Sequence, residues 1–433
     1  MALLFLATTI NYVDRQTLSF IMTDAGFKRT LLGLADSVPL TDEHIKTFRI
    51  QMGLVDSAFK ATYAIGFLLV GWLIDRMGTR RGFSWGMAIW SVASLLSTFV
   101  NTFGQLKIVR ALLGLGESAN FPSAMKAISE WFPKHERSTA TGFLNAGSNM
   151  GVIATAVLIP VLVVDYGWRV SFLVSAVLGF LMLLIWLSAY QTPKQPLLTQ
   201  PSDVTQESSE TAELKLTWRQ LLRHRQTWAF ACSKIFADPV WFFYLTWLPD
   251  FLLTNNQLDH QLDLKNFSIP FLIIYVVSDL GSVFFGWMAT RLMQQGWSEN
   301  KARKSMMLIC ALMVTPIYLT PSVHSYTLIV AMLAVATAAH QGWSSNAYAL
   351  ASTLFPKQLV GSATGMGGFL GSLTSMGVAA ITGYVVASLG YKPMFVFASS
   401  SYLIGLLVMH WVLPVLRPIE LTHSQQPTYE PLN

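Results

Sequence analysis

FPKHERSTATG (Phe132–Gly142) and FPKQLVGSATG (Phe355–Gly365) align without a gap, 223 residues apart. The same offset carries GWRVSF at Gly167 to GYKPMF at Gly390, and Asp56 to Asp279. Three matches at one offset mark an internal duplication. Around them lie apolar runs long enough to span a bilayer, about 20 residues each. They begin near Met1, Met52, Ser84, Leu106, Ala140 and Ser171, and again near Trp228, Ser268, Met306, Thr327, Ser362 and Met394. The chain is therefore read as an all-α polytopic membrane protein with twelve transmembrane helices in two pseudo-symmetric bundles of six. Parallel six-helix repeats place a substrate site at their interface, near the bilayer midplane.

Composition agrees. Of 433 residues 53% are hydrophobic and only 12% charged, against about 25% charged in soluble domains. Residues 1–190 form the expected first bundle and 227–416 the second. Between them 191–226 is read as a cytoplasmic linker, Pro-, Ser-, Thr- and Gln-rich at first. It closes on TWRQLLRHRQ (Thr217–Gln226), which has the pattern of a basic amphipathic surface helix or of plain disordered linker. Residues 417–433 are a cytoplasmic tail. Cys232 and Cys310 fall in separate apolar runs, without the pattern of a disulfide framework or a metal site. No cleavable signal-peptide pattern precedes the first run, and a start inside that run points to an upstream segment.

Basic residues set the orientation. Arg76, Arg80, Arg81, Lys134, Arg137, Arg291, Lys301, Arg303 and Lys304 share one side with the linker if spans alternate. That side is read as the cytoplasm, with both termini in it, and the membrane as a bacterial inner membrane. The net charge of +6 is then mostly positive-inside bias, and nucleic acid is not implied. Ala25–Arg49 is a longer polar outer loop with Lys28, Arg29, Lys46 and Arg49. It reads as a solvated insertion, or as a vestibule that attracts anions.

Ionisable side chains at bilayer depth persist mainly to face a cavity, a partner or a permeating ion. NYVDR (Asn11–Arg15) puts Asp14 and Arg15 there, and neighbours on a helix point about 100° apart, so each needs a partner elsewhere. Arg110 and Glu117 are i,i+7, on one face and about 10 Å apart at 1.5 Å per residue. Burial raises such a carboxyl's pKa and an arginine lowers it, which suits a proton carrier; a structural ion pair between helices is the alternative. Asp56 and Lys60, at i,i+4, read as a mutually satisfied pair. Asn145 and Asn149 are i,i+4, and Gln341, Ser344, Ser345 and Asn346 cluster beside Trp343. Amides read hydroxyls and an aromatic face packs on a sugar, though polar residues also glue helices together. His340 reads as a structural histidine, and Asp238-Pro239 as a break in helix seven, flexible or static. Lys126 and Lys234 have no assigned role.

GWLIDRMGTRRG (Gly71–Gly82) resembles the signature loop of the major facilitator superfamily. The resemblance implies an inner gate built from Asp75 and the arginines Arg76 and Arg80, with Glu130 and Arg137. Four longer stretches narrow it: NYVDR, RALLGLGESANFPSAMKAISEWFPKHER (Arg110–Arg137), KIFADPVWFFYLTWLP (Lys234–Pro249) and HQGWSSN (His340–Asn346). With VGSATGMGGFLG (Val360–Gly371) they are similar to the anion:cation symporter family, and within it to bacterial hexuronate transporters. That resemblance implies that Arg15 pairs with the substrate carboxylate, with Tyr12 beside it, and that Tyr63 bonds the sugar. It also implies that Asp14 and Glu117 carry protons and that Arg110 interacts with them. Ser148, Asn149 and the Gly367–Gly368 run depart from the galactonate carriers, which favours hexuronate. The expected partners are a small organic anion, a proton and the bilayer, with no cofactor and a monomeric state. Other sugar acids or an aromatic acid are the nearest alternatives. A drug/proton antiporter fits less well, because GSNMG (Gly147–Gly151) lacks its proline. No H-E-x-x-H or G-x-S-x-G is present, so the chain is not read as an enzyme.

Overall fold

The computed structural model describes residues 1–132, 137–191, 218–254, 268–356 and 359–419. The first half contains α1 (Ala2–Ile21), the short α2 (Ala25–Leu32), α3 (Asp42–Met77), α4 (Thr79–Ser97), α5 (Phe103–Glu117), α6 (Asn120–Trp131), α7 (Arg137–Tyr166) and α8 (Trp168–Ala189). The second contains a single turn α9 (Trp218–Leu221), then α10 (Arg225–Thr254), α11 (Ser268–Gln294), α12 (Glu299–Val314), α13 (Tyr326–Leu354), α14 (Val360–Leu389) and α15 (Lys392–Val412). Helix four is split. α5 stops at Glu117 and α6 restarts at Asn120, so the two together make one span. A 3-10 segment, Thr315–Ser322, likewise extends α12. Among the described residues this gives twelve spans in two sets of six.

The packing repeats with the sequence. α1 lies on α7 as α10 lies on α14; α3 lies on α5 as α11 lies on α13; α4 lies on α8 as α12 lies on α15. Gly167 and Gly390, equivalent by the repeat, start α8 and precede α15 with φ of 84° and 74°, a left-handed turn that excludes most side chains. Seven helices are long and apolar enough to cross a membrane by length and composition alone. The cavity-lining α1, α5 and α10 fall outside that set, as do α4 and α13.

The halves meet along α3–α14 and α7–α11. At the end away from the chain's N-terminus the first of these contacts is backbone against backbone. A Cβ on Gly53 would stand 2.8 Å from both the Ala379 carbonyl oxygen and the Gly383 nitrogen. Beside it Arg49 Nη2 pairs with Asp250 Oδ2 at 2.9 Å and bonds Thr254 Oγ1 at 3.1 Å, while the Tyr391 hydroxyl donates to Asp250 at 2.5 Å. This far end is closed. Lys28 lies buried 5.8 Å from the Phe48 ring; desolvation lowers its pKa, opposed by Asp250. At mid-depth Asn149 on α7 donates to Asp279 on α11.

Three expectations change. The outer loop is largely helical: Asp24 caps α2, Thr41 and His44 form a capping box for α3, and Arg49 belongs to α3. The expected surface helix over Thr217–Gln226 is one turn, because α10 already begins at Arg225. Thr217 itself, most of the linker and nearly all of the tail lie outside the described residues. The break at Asp238-Pro239 does not occur. α10 runs unbroken past Pro239 and Pro249.

Candidate functional site

Four polar residues in sequence, Asn11, Asp14, Arg15 and Gln16, put buried polar groups on several sides of α1. Asp14, Arg15 and Gln16 each meet a different neighbour, while the Asn11 amide is buried without a hydrogen-bond partner. Arg15 Nε donates to Glu117 Oε2 at 2.7 Å, with the side chains 6% and 0% exposed. Asp14 Oδ1 accepts from Ser94 Oγ at 2.8 Å. Gln16 Nε2 reaches across to the Leu245 carbonyl of the second half at 3.2 Å. Glu117 therefore pairs with α1, and the within-helix pairing with Arg110 is not made. Arg110 Nη2 instead donates to the Arg15 carbonyl at 3.3 Å.

Aromatic faces hold the guanidinium groups. The Arg15 guanidinium carbon lies 4.6 Å from the Tyr12 ring centre, 4.8 Å from Tyr63 and 5.6 Å from Phe59. The Arg110 guanidinium carbon lies 4.9 Å from the centre of the same Phe59 ring. Such cation–π contacts strengthen when desolvated. They fix the planes of both groups and leave their edges free. Arg15 Nη2, Arg110 Nε and Nη1, Glu117 Oε1 and Asp14 Oδ2 are buried without a hydrogen-bond partner. Buried unpaired donors are costly, so this cluster is built to receive an acceptor. The cavity beside it is lined by Arg15, Gln16, Asp56, Phe59 and Arg110, and closed from the second half by Phe242, Leu245 and Thr246. Lys60 pairs with Asp56 and lies 4.9 Å from the Phe242 ring.

The remaining expected residues divide. Tyr63 and Tyr12 lie at the cluster. Asn149 is taken up by Asp279. Trp343 is not placed for ligand: it is fully buried and its Nε1 donates to the Ser233 carbonyl at 3.0 Å, because that face of α13 packs within the second half. Asn346 is likewise buried, donating to the Gly342 carbonyl at 2.9 Å. Gln341 is half-buried. Trp241 is half-buried and stacks at 4.5 Å on His340. His340 Nδ1 is 2.6 Å from the Tyr402 hydroxyl, so it is a satisfied core group.

At the gate, Glu130 accepts from Thr79 at 2.6 Å and from Tyr190 at 2.8 Å, and Arg80 bonds the Leu187 carbonyl. These contacts tie the first half to itself. Burial and the Glu130 carboxylate push the Tyr190 hydroxyl up. Arg76 is exposed. The side chains of Asp75, Arg137 and Asn145 lie outside the described ones. Lys126 donates to the Ile74 carbonyl at 3.2 Å, and Cys232 and Cys310 are buried and unpaired. Sequence reading missed Ser94, Gln16, Phe59 and Phe242. Gln16 alone carried a signal, as a fourth polar residue in a six-residue stretch of α1.

Residues 4–379 match the family model of the Major Facilitator Superfamily. The chain is 28% identical to the hexuronate transporter of Escherichia coli strain K12, over 98% of its own length and 96% of that protein's. It is 24% identical to a probable galactarate/D-glucarate transporter of the same strain, over 97% and 95%. A solved D-xylose-proton symporter superposes with a TM-score of 0.71 over 96% of this chain and 98% of that one, at 14% identity. That last likeness concerns the fold alone.

Proposed function

The chain belongs to the major facilitator superfamily, and from that premise we propose that it takes up a sugar acid, specifically a hexuronate, with protons. It is a multi-pass transporter and not an enzyme. The observation that carries the reading is the Arg15–Glu117 pair with its unpaired guanidinium edges. Asp14, Asp56 and Glu117 balance Arg15, Lys60 and Arg110, so the central cluster is neutral when all six are charged. A monoanionic substrate added to a neutral buried site leaves one uncompensated charge, which is strongly disfavoured. One proton on Glu117 removes that charge and releases Arg15 at the same moment. Proton and anion then enter together, and neither binds well alone.

Both relatives carry names of sugar-acid transporters, which supports the substrate class. The positive-inside pattern supports a cytoplasmic side for the end bearing the N-terminus. With the far end closed, the site is shut off from the side opposite the cytoplasm.

The test is labelled galacturonate and glucuronate uptake into proteoliposomes. An inward proton gradient is expected to drive accumulation, and a sodium gradient at constant pH is not. Accumulation that follows sodium and ignores pH overturns the coupling. A variant refines it. Glu117→Gln keeps shape and most hydrogen bonding but cannot release a proton. Exchange needs only the loaded carrier to turn over, so counterflow should persist while gradient-driven accumulation is lost. A purely structural pair predicts instead that both activities and the melting temperature fall together, since Arg15 is stranded.

A further inference from the structure

The second half carries a charged pair that the carboxylate anchor does not use. Lys234 Nζ lies 2.8 Å from Asp238 Oδ1, with the side chains 9% and 16% exposed. Lys234 also lies 3.3 Å from the Tyr348 hydroxyl and 4.5 Å from that ring's centre. Tyr348 is half exposed. Lys234, Asp238 and Phe242 recur every four residues, on one face of α10, and Phe242 with Leu245 and Thr246 walls the cavity that holds Arg15 and Arg110. Asp238 thus stands one turn below that wall, about 6 Å along the axis. Gly371 faces it, and a Cβ there would collide with the Asp238 carboxylate. The room around this acid is kept by the neighbouring helix.

The repeat adds a second observation. An offset of 223 residues takes Arg15 to Asp238, Asn11 to Lys234 and Glu117 to His340. Where the first half places a cation and its acid, the second places an acid and an imidazole. An acid standing where the first half has its cation suits a ligand whose two ends differ.

Resting on Arg15 as the carboxylate anchor, we propose that Lys234 and Asp238 form a subsite for the uncharged, hydroxyl-bearing end of a monocarboxylic sugar acid and turn away a second carboxylate. A hydroxyl donates to Asp238 and accepts from Lys234 at once. A carboxylate meets a pair of no net charge, can accept only from Lys234, and is held against the like charge of Asp238. The half-buried Trp241, stacked on His340, offers its other face to the C–H side of the ring.

The experiment measures displacement of labelled galacturonate by unlabelled galacturonate and by galactarate, which has a carboxylate at each end. Wild type, Asp238→Asn, Asp238→Glu, Lys234→Gln and Arg15→Lys are compared in membranes. Asp238→Asn is expected to weaken galacturonate about tenfold or more, the scale of one charge-assisted hydrogen bond, and to strengthen galactarate. Lys234→Gln should shift the ratio of the two affinities the opposite way, and Asp238→Glu should keep the wild-type ratio. The ratio does not depend on how much protein folds. If Asp238→Asn and Lys234→Gln move both ligands by one factor, or move neither, the pair is structural and the subsite is wrong, while the carboxylate anchor stands. If Arg15→Lys leaves both affinities intact, the anchor and the subsite fall together.

Discussion

Replacing Arg15 by lysine is expected to lower galacturonate affinity roughly 30- to 3,000-fold, the equivalent of about 2–5 kcal/mol. The guanidinium uses its Nε edge on Glu117 at 2.7 Å and keeps Nη2 unpaired. Its plane therefore has an edge left for a second carboxyl group, and its flat faces lie on the Tyr12 and Tyr63 rings. An ammonium is a compact, strongly hydrated point charge without that fork. It keeps the net charge of the cluster and loses the geometry. Titration calorimetry on the purified carrier reads the affinity, and the melting temperature separates lost binding from lost fold. Near-normal affinity in a folded variant moves the anchor to Arg110, whose Nε and Nη1 are also unpaired.

Gly53→Leu is expected to abolish transport without abolishing binding. Even the first carbon of a side chain would stand 2.8 Å from backbone atoms of α14. Backbone cannot swing aside as a side-chain tip does, so α3 and α14 must part. The Arg49–Asp250 bridge at 2.9 Å depends on the same approach and opens with it. A carrier that cannot close its far end loads from that side and releases nothing on the other. Uptake should fall to background, while equilibrium binding from the far side stays within about threefold of wild type, the site lying elsewhere. Uptake at the wild-type rate means that the closed contact is not part of the cycle. Loss of binding together with melting temperature means that the glycine serves folding alone.

Much of the fold was legible because duplication and apolar runs are properties of the chain itself. The offset that joins Gly142 to Gly365 also predicted which helix pairs repeat. The site was legible only as a set of charges. Asp14, Arg15, Arg110 and Glu117 stand out in apolar helices, but partner choice depends on how helices turn toward one another. Arg15 found Glu117 across 102 residues, where spacing within one helix had suggested Arg110. Trp343 and Trp241 illustrate the same limit. Trp343 stands in a polar run and Trp241 in an apolar one, yet the packing of α13 on its neighbours turns the first toward protein. The Gly53–Gly383 approach left no pattern of its own, since α3 and α14 each hold several glycines and glycine is frequent in membrane helices.

Because α1 is not among the helices apolar enough to cross a membrane alone, its biogenesis depends on chain not yet made. On insertion scales an Asp or Arg at mid-helix costs about 2.5–3.5 kcal/mol. The groups that offset this, Ser94 for Asp14 and Glu117 for Arg15, come 80 and 102 residues later. At about 5–20 residues per second, Arg15 leaves the ribosome roughly 5–20 s before its counter-ion. During that interval the first helix has no settled home in lipid. Synthesis of this carrier thus contains a built-in wait, and its early helices must be sheltered by the insertion machinery until the fourth span arrives.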